Sequence, residues 1–167
     1  VAVAVAKSLG ARVMATTTSR GKDDYLRSIG AESVIYLGDK SRLTDHVAAR
    51  SADAVMELSG HDTFADSVAV LRRGGRLCAL GAVTGGDVNM SIWDLLHELV
   101  LTGYSTENLT GPDLRKAITE ICNLLSTGQL AVPSFQTFPM AEACKAHALM
   151  AQSQLKGRAL LLPEASY

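Results

Sequence analysis

Short apolar runs alternate with stretches of helical periodicity along this chain, and that alternation constrains its fold more than any other feature. Residues 1–9 read as a helix that stops at Gly10, where a left-handed backbone suits glycine. Residues 11–17 form a short buried strand, 22–30 a brief helix ended again by glycine, and 33–37 a strand. Residues 39–50 read as helical, with Ser41 as the cap, and 52–59 as a strand. An amphipathic helix is predicted over 61–73, with Phe64, Val68 and Leu71 on one face. GGRLCALG (74–81) is a turn followed by a strand, and TGGD (84–87) a loop. A helix at 91–98 and a strand at 99–105 follow. TGP (110–112) opens a long helix that runs to Leu125, with Pro112 in its first turn. A last helix covers 140–152, and Gly157 leads into the closing strand RALLLP.

Units of this kind dictate a parallel sheet with right-handed crossovers. Strands that are apolar on both faces are those covered by helices on both sides. The class is α/β, a doubly wound, Rossmann-type parallel sheet. Beyond about residue 109 the alternation gives way to two consecutive helices and a strand, so that region is expected to form a different packing unit. One part of the pattern is missing. A doubly wound nucleotide domain begins with a strand and a glycine-rich turn, whose N–H groups meet a pyrophosphate. This chain opens on Val1 rather than Met, already inside a helix, and no G-x-G-x-x-G stands at a strand-to-helix turn. The expectation is a fragment cut inside the first helix, its sheet lacking the first strand and glycine-rich turn, and inactive by itself.

Hydrophobic residues make up 47% and charged residues 20% of the chain, enough apolar surface for a core and too much for disorder. Lys plus Arg number 16 and Asp plus Glu 17, a formal charge of −1, which argues against a broad nucleic-acid or anionic-membrane surface. The longest apolar run, residues 1–6, is far too short to span a bilayer. Cys78, Cys122 and Cys144 are odd in number and widely spaced, which suits a reducing compartment such as the cytoplasm better than a disulfide framework.

Five pieces then stand in a telling order: AKSLGARVMATTTS, DDYLRSIGAESVIYL, DAVMELSG, LRRGGRLCALG and, at the end, FPMAEACKAHALMAQSQLKGRALLLP. Together they resemble the medium-chain dehydrogenase/reductase superfamily, in particular its zinc-independent quinone oxidoreductase branch. The resemblance covers essentially the whole chain. It implies that residues 1–108 are a partial dinucleotide-binding domain. Residues 109–167 would then be the C-terminal return into a GroES-like catalytic domain whose N-terminal segment is not in this sequence. A catalytic zinc site, in the relatives that have one, draws its ligands mainly from that segment, so no metal is expected here.

Within that frame the most informative stretch is TTTSRGK (16–22), at the end of the second family strand. Relatives that prefer NAD carry an Asp or Glu there for the ribose hydroxyls. This chain has no acid before Asp23 and offers instead Thr18, Ser19, Arg20 and Lys22. Hydroxyls and cations suit a 2′-phosphate dianion, Arg as a fork and Lys as a point charge, so the cofactor implied is NADPH. The same residues would also suit a solvated basic loop. Relatives often place a tyrosine where this chain has Leu37. The tyrosine here is Tyr36, expected on the opposite face of a regular strand.

Ligands of an open parallel sheet bind beyond the carboxyl ends of its strands. Ser59 and Gly60 follow one strand and Leu80 and Gly81 another, and the resemblance turns these backbones toward a nicotinamide and its ribose. Glycines that merely end strands would look the same. Glu57 lies inside an apolar strand, where a carboxylate must be paired or neutral, and capping by backbone N–H groups accounts for it better than a functional acid. Lys156 and Arg158 flank Gly157, and in relatives a basic residue near that loop approaches the cofactor phosphates. Cys144 and His147 lie three apart on a helix, but two ligands do not make a metal site. No residue stands out as catalytic.

The function implied is hydride transfer from NADPH to a small molecule, a quinone or an activated alkene, by a homodimer paired through the apolar strand near 99–105. Two alternatives stay open. One is an S-adenosylmethionine-dependent methyltransferase, which shares the strand pattern and GGRL but ordinarily needs an acid where TTTSR has none. The other is a non-catalytic relative that uses the dehydrogenase fold for binding.

Overall fold

The computed structural model describes residues 1–38, 40–132, 134–152 and 154–163. The elements run α1 (Ala2–Ser8), β1 (Met14–Thr17), α2 (Asp23–Ser28), β2 (Ser33–Tyr36), β3 (Ala52–Glu57), α3 (Phe64–Ala69), β4 (Leu71–Ala79), α4 (Ile92–Leu95), β5 (Val100–Gly103), α5 (Gly111–Ser126), β6 (Phe135–Pro139), α6 (Ala143–Ala151) and β7 (Arg158–Leu162). All strand pairings among them are parallel, and the class is α/β as the alternation dictates. Two compact units result, one of Val1–Tyr36 with Lys116–Tyr167 and one of Leu37–Arg115.

The first unit holds two two-stranded sheets, β1–β2 and β6–β7. β1 and β2 pair in register from Met14 opposite Ser33 to Thr17 opposite Tyr36, and bury Ala15 and Ile35. β6 corrects the sequence reading, which passes from the long helix directly to the last one. FQTFP buries only Phe138, so it lacks the alternation that marks a half-buried strand. With β6 in place the β–α–β order continues to β7. Phe138, Ala146 and Leu155 form the core of this segment.

The second unit is the three-stranded sheet β3–β4–β5 with α3 against it. Its core joins Phe64 and Val68 of α3 to Leu71 and Leu77 of β4. The periodicity over 61–73 finds the right buried residues but the wrong element for Leu71. The helix ends at Ala69, and Val70 and Leu71 swing across to the start of β3, where Ser51 and Ala52 donate N–H groups to the Val70 carbonyl at 2.8 and 2.9 Å. Leu71 pairs with Ala52, the chain then loops out, and Arg76 returns opposite Ala54. Gly75 permits that excursion, since a Cβ there would lie 2.8 Å from the Arg72 carbonyl oxygen. In a doubly wound sheet the second and fourth strands each pair with the first. Among the described residues β1 pairs only with β2, and β3 only with β4.

Two predicted helices are largely absent. Residues 39–50 hold one 3-10 turn, Leu43–Asp45, and Asp39 lies outside the described residues. Ser41 does not cap it; its hydroxyl instead meets His46 Nε2 at 2.6 Å. The segment is drawn in by Asp66 of α3, which accepts from the Leu43 N–H at 3.0 Å and from the Arg42 guanidinium. Arg42 holds the Asp66 carboxyl below its usual range against the opposing effect of burial. The helix over 91–98 shortens to Ile92–Leu95, because Glu98 takes a positive φ of 61° and the His97 carbonyl turns to accept the Gly74 N–H at 3.0 Å.

Leu77 is 1% exposed at the centre of the second unit, whereas Val83 is 87% exposed. Leu77→Ala is expected to cost about 2–5 kcal/mol, through lost transfer energy and a cavity. Val83→Ala should stay within about 0.5 kcal/mol of the parent. Urea unfolding with an unchanged m-value checks both; equal midpoints would refute the assignment of the core.

Candidate functional site

Four of the predicted residues stand together in the first unit and four in the second, with Lys156 on a turn of its own. In the first unit, Thr18, Ser19, Arg20 and Lys22 share the turn that leaves β1. Thr17 Oγ1 accepts from the Ser19 N–H at 3.1 Å, a local bond that breaks the strand and starts the turn. Gly21 continues it with a positive φ of 82°, and the Lys22 carbonyl accepts from Leu26 N–H at 2.9 Å as α2 begins. Thr18 and Arg20 are exposed; Ser19 and Lys22 are half-buried. The turn thus gathers two hydroxyls and two cations beyond the carboxyl end of a parallel strand, with no carboxylate before Asp23.

Tyr36 comes against this turn as well. The Arg20 guanidinium carbon lies 4.3 Å from the centroid of the Tyr36 ring, a cation–π stack. Tyr36 is the last residue of β2 and pairs in register with Thr17, the last of β1.

In the second unit, Ser59 and Gly60 follow β3 and Leu80 and Gly81 follow β4. Glu57 organises this end of the sheet. The residue is 4% exposed, and its carboxylate accepts from Ser59 N–H at 2.8 Å, Gly60 N–H at 3.2 Å, Thr63 Oγ1 at 2.8 Å and the Ser67 hydroxyl. Burial pushes this carboxyl up, but the four donors outweigh it and leave the group below the usual carboxylate range. The expectation of a carboxylate capped by N–H groups is met, with two hydroxyls added.

The loops beyond β3 and β4 are laced to each other. Leu80 N–H donates to the Glu57 carbonyl at 2.7 Å, Thr84 N–H to the Ser59 carbonyl at 2.8 Å and His61 N–H to the Gly85 carbonyl at 3.0 Å. His61 Nδ1 donates to the Asp87 carbonyl at 2.6 Å. Gly60 has a positive φ of 89°, and a Cβ there would strike the Gly85 carbonyl oxygen. A Cβ on Gly81 would lie 2.7 Å from the Leu58 carbonyl oxygen. These glycines are therefore demanded by close backbone approach, whatever else they do.

Leu80 and Gly81 also line an open groove of about 660 Å³ at the carboxyl ends of β4 and β5, with Gly103, Tyr104, Ser105 and Asn108 on its other side. Ser59 and Gly60 are not among its lining residues. The sequence reading misses Tyr104, Ser105 and Asn108. The rule that selects Leu80 and Gly81 would have found them if applied to the end of the next strand. Lys156 lies on a separate turn before β7, exposed, with its carbonyl accepting from Ser134 Oγ at 3.3 Å.

The profile of the zinc-binding dehydrogenase family matches residues 1–123. The chain belongs to that family. Within the medium-chain dehydrogenase/reductase superfamily it is quinone-oxidoreductase-like. It is 29% identical to quinone oxidoreductase 1 of Escherichia coli (strain K12), over 95% of this chain and 51% of that protein. It is likewise 29% identical to L-threonine 3-dehydrogenase of Bacillus licheniformis, over 97% of this chain and 47% of the relative. Among solved structures it superposes on Escherichia coli quinone oxidoreductase complexed with NADPH, with a TM-score of 0.79 and 26% identity, over 97% of this chain and 52% of that one. The chain thus spans about half the length of the curated relatives it matches.

The family's name carries zinc, but among the described residues no three His, Cys, Asp or Glu side chains come together to hold a metal ion. Cys144 and His147 remain a pair of exposed side chains on α6. Among the described residues the donor set does not fit a zinc site.

Glu57→Gln replaces an acceptor-only group with an amide that presents an NH₂ to four donors. At neutral pH it is expected to cost about 1–3 kcal/mol. The folded-state carboxyl titrates below its unfolded value of about 4.3, so its contribution is complete above that value and is lost as pH falls through the lower, folded one. The gap in Tm between parent and variant should therefore narrow from pH 6 toward pH 3. A gap constant with pH would show that the Glu57 charge does not hold this end of the sheet.

Proposed function

We propose that this chain is the cofactor-binding part of an NADPH-dependent oxidoreductase that passes a hydride to a quinone or an activated alkene. The observation that carries the reading is the turn after β1, which carries Thr18, Ser19, Arg20 and Lys22 with no acid in the sequence before Asp23. An Asp or Glu there would repel a 2′-phosphate, whereas hydroxyls and cations attract it. In support, a quinone oxidoreductase of the same fold is complexed with NADPH. The dehydrogenase kinship leaves the methyltransferase reading without support.

NADPH, when bound, supplies the hydride from its nicotinamide C4. This chain's own part is to hold and orient. The turn of Thr18 to Lys22 would take the adenosine end. Leu80 and Gly81, with Ser59 and Gly60 behind them, would offer backbone to the nicotinamide end, and Lys156 would approach the phosphates. Positioning the ring against the acceptor and keeping water away would do most of the catalytic work. In this reading residues 1–108 are part of the dinucleotide-binding domain and 109–167 return into a GroES-like catalytic domain. The protein would work in the cytoplasm, a setting that suits its free cysteines. Among the described residues no helix is long and apolar enough to cross a membrane.

Cofactor titrations of the full-length protein test the reading. NADPH should bind more tightly than NADH. Arg20→Ala or Lys22→Ala should each remove a charge-assisted hydrogen bond of roughly 1.5–3 kcal/mol, a loss of about tenfold to a hundredfold in NADPH affinity. NADH affinity should barely move, and the effect should shrink at high salt because the turn is near solvent. Preference for NADH, or unchanged NADPH binding in both variants, would refute the assignment.

The protein is also proposed to be a homodimer. β5 pairs with β4 along one edge, and the sheet order leaves its other edge outermost. Such an edge invites pairing with a second copy. Light scattering at micromolar concentration should give the mass of a dimer, and a monomer mass would refute the pairing.

A further inference from the structure

The groove at the carboxyl ends of β4 and β5 carries an inference that rests on the NADPH reading and deepens it. Among the described residues that line it, backbone, aliphatic side chains, an amide and aliphatic hydroxyls surround a single phenol, Tyr104. Tyr104 is therefore the one lining residue whose side chain ordinarily gives up a proton. Its backbone is fixed, since the Tyr104 N–H donates to the Ala79 carbonyl at 3.0 Å, one residue before Leu80. The residue is 51% exposed, and among the described residues nothing bonds its hydroxyl. The hydroxyl of Ser105, next along, is already engaged as the acceptor of the Glu107 N–H at 3.2 Å. A ligand seated against Leu80 and Gly81 thus meets an unspent proton donor across the groove.

A quinone and an activated alkene differ in their need for such a proton. Hydride addition to a quinone leaves a hydroquinone anion, a phenolate stable enough to form without help. Addition to the β-carbon of an enone leaves an enolate, a far stronger base, and a proton given in the transition state eases its formation. We infer that Tyr104 is the general acid for an α,β-unsaturated carbonyl acceptor, donating its proton to the carbonyl oxygen as hydride reaches the β-carbon. The new C–H bond takes the electron pair of the nicotinamide C4–H bond. The alkene pair shifts toward the carbonyl, and the Tyr104 O–H bond breaks to give the enol. The nicotinamide is oxidised and the alkene reduced. The tyrosinate recovers its proton from water, and the enol becomes the saturated ketone in solution.

The experiment assays the full-length protein with NADPH and either cyclohex-2-enone or 1,4-benzoquinone. It also titrates the complex with NADP⁺ with 4-nitrophenolate, whose anionic oxygen imitates the enolate. Tyr104→Phe should lower kcat for the enone by about 10²- to 10⁴-fold, the scale of one general acid. For the quinone the loss should stay below about threefold, the scale of one weak hydrogen bond. 4-Nitrophenolate should bind the variant about tenfold to a hundredfold more weakly, through loss of a hydrogen bond to a charged group. Unchanged enone turnover, an equal loss with both acceptors or unchanged 4-nitrophenolate binding would each overturn the inference. So would a parent that reduces the quinone and not the enone. Should Tyr104→Phe fail to fold, the parent in D₂O decides: slower turnover with the enone and not with the quinone supports the general acid, and equal slowing or none overturns it. A parent that oxidises NADPH with neither acceptor would refute the NADPH reading and this inference with it, a result separate from any pattern between parent and variant.

Discussion

A carboxylate withdrawn from water at the end of β3 sets the path of the chain beyond that strand. Moving an ionised carboxyl into a protein interior costs several kcal/mol even after relaxation, so Glu57 is tolerable only with its lone pairs filled. The donors come from three places: the backbone immediately after the strand, Thr63 at the entry to α3, and Ser67 within that helix. One group therefore fixes where β3 stops, how the 58–60 loop turns and how α3 approaches. The loop after β4 is then pinned to the first loop through Leu80, Thr84 and Gly85. The groove lined by Leu80 and Gly81 lies at the end of this chain of dependence.

Asp66 repeats the device on the other side of α3. It too is buried and has its oxygens filled by donors, here Arg42 and the N–H of Leu43, which opens the 3-10 turn. Arg42 is itself largely exposed, so the pair is half a surface ion pair and half a buried one. The buried half makes it matter, since an unpaired Asp66 beside Val68 and Val70 would be costly. Short helices of low intrinsic stability can be held in this way, by side chains that satisfy one another's neighbours rather than by propensity.

Much of the order of elements was legible because alternation of strand and helix is a long-range pattern that no single residue can spoil. What failed did so locally. Residues 39–50 have helical composition, but Asp66, remote in sequence, captures their backbone N–H groups for a 3-10 turn. Leu71 was assigned to the core correctly and to the helix wrongly, because periodicity reports burial and burial is shared by α3 and β4. β6 was missed because only Phe138 of its five residues is buried. At the candidate site, Thr18, Ser19, Arg20 and Lys22 could be chosen from residue chemistry and position after a strand. Tyr36 could not, since its partner is set by the β1–β2 register, which the sequence alone does not show. Glu57 was legible in kind, as a buried acid in need of donors, but the hydroxyls of Thr63 and Ser67 were not.

Kinship alone narrows the chemistry less than the site does. At the same identity the chain matches a quinone oxidoreductase and a threonine dehydrogenase, proteins whose names point to different substrates. A shared fold positions strand ends, and what those ends carry is free to vary. The frame of Glu57, Gly60 and Gly81 follows from close packing and buried charge, so it would serve many reactions. The turn after β1 is different. Its residues are exposed or half-buried, and Thr18, Arg20 and Lys22 are not required by the core. An acid at that turn and a cation at that turn are equally compatible with the fold, but they have opposite electrostatic consequences for a phosphate. The part of the chain least constrained by folding is therefore the part from which cofactor choice can be read.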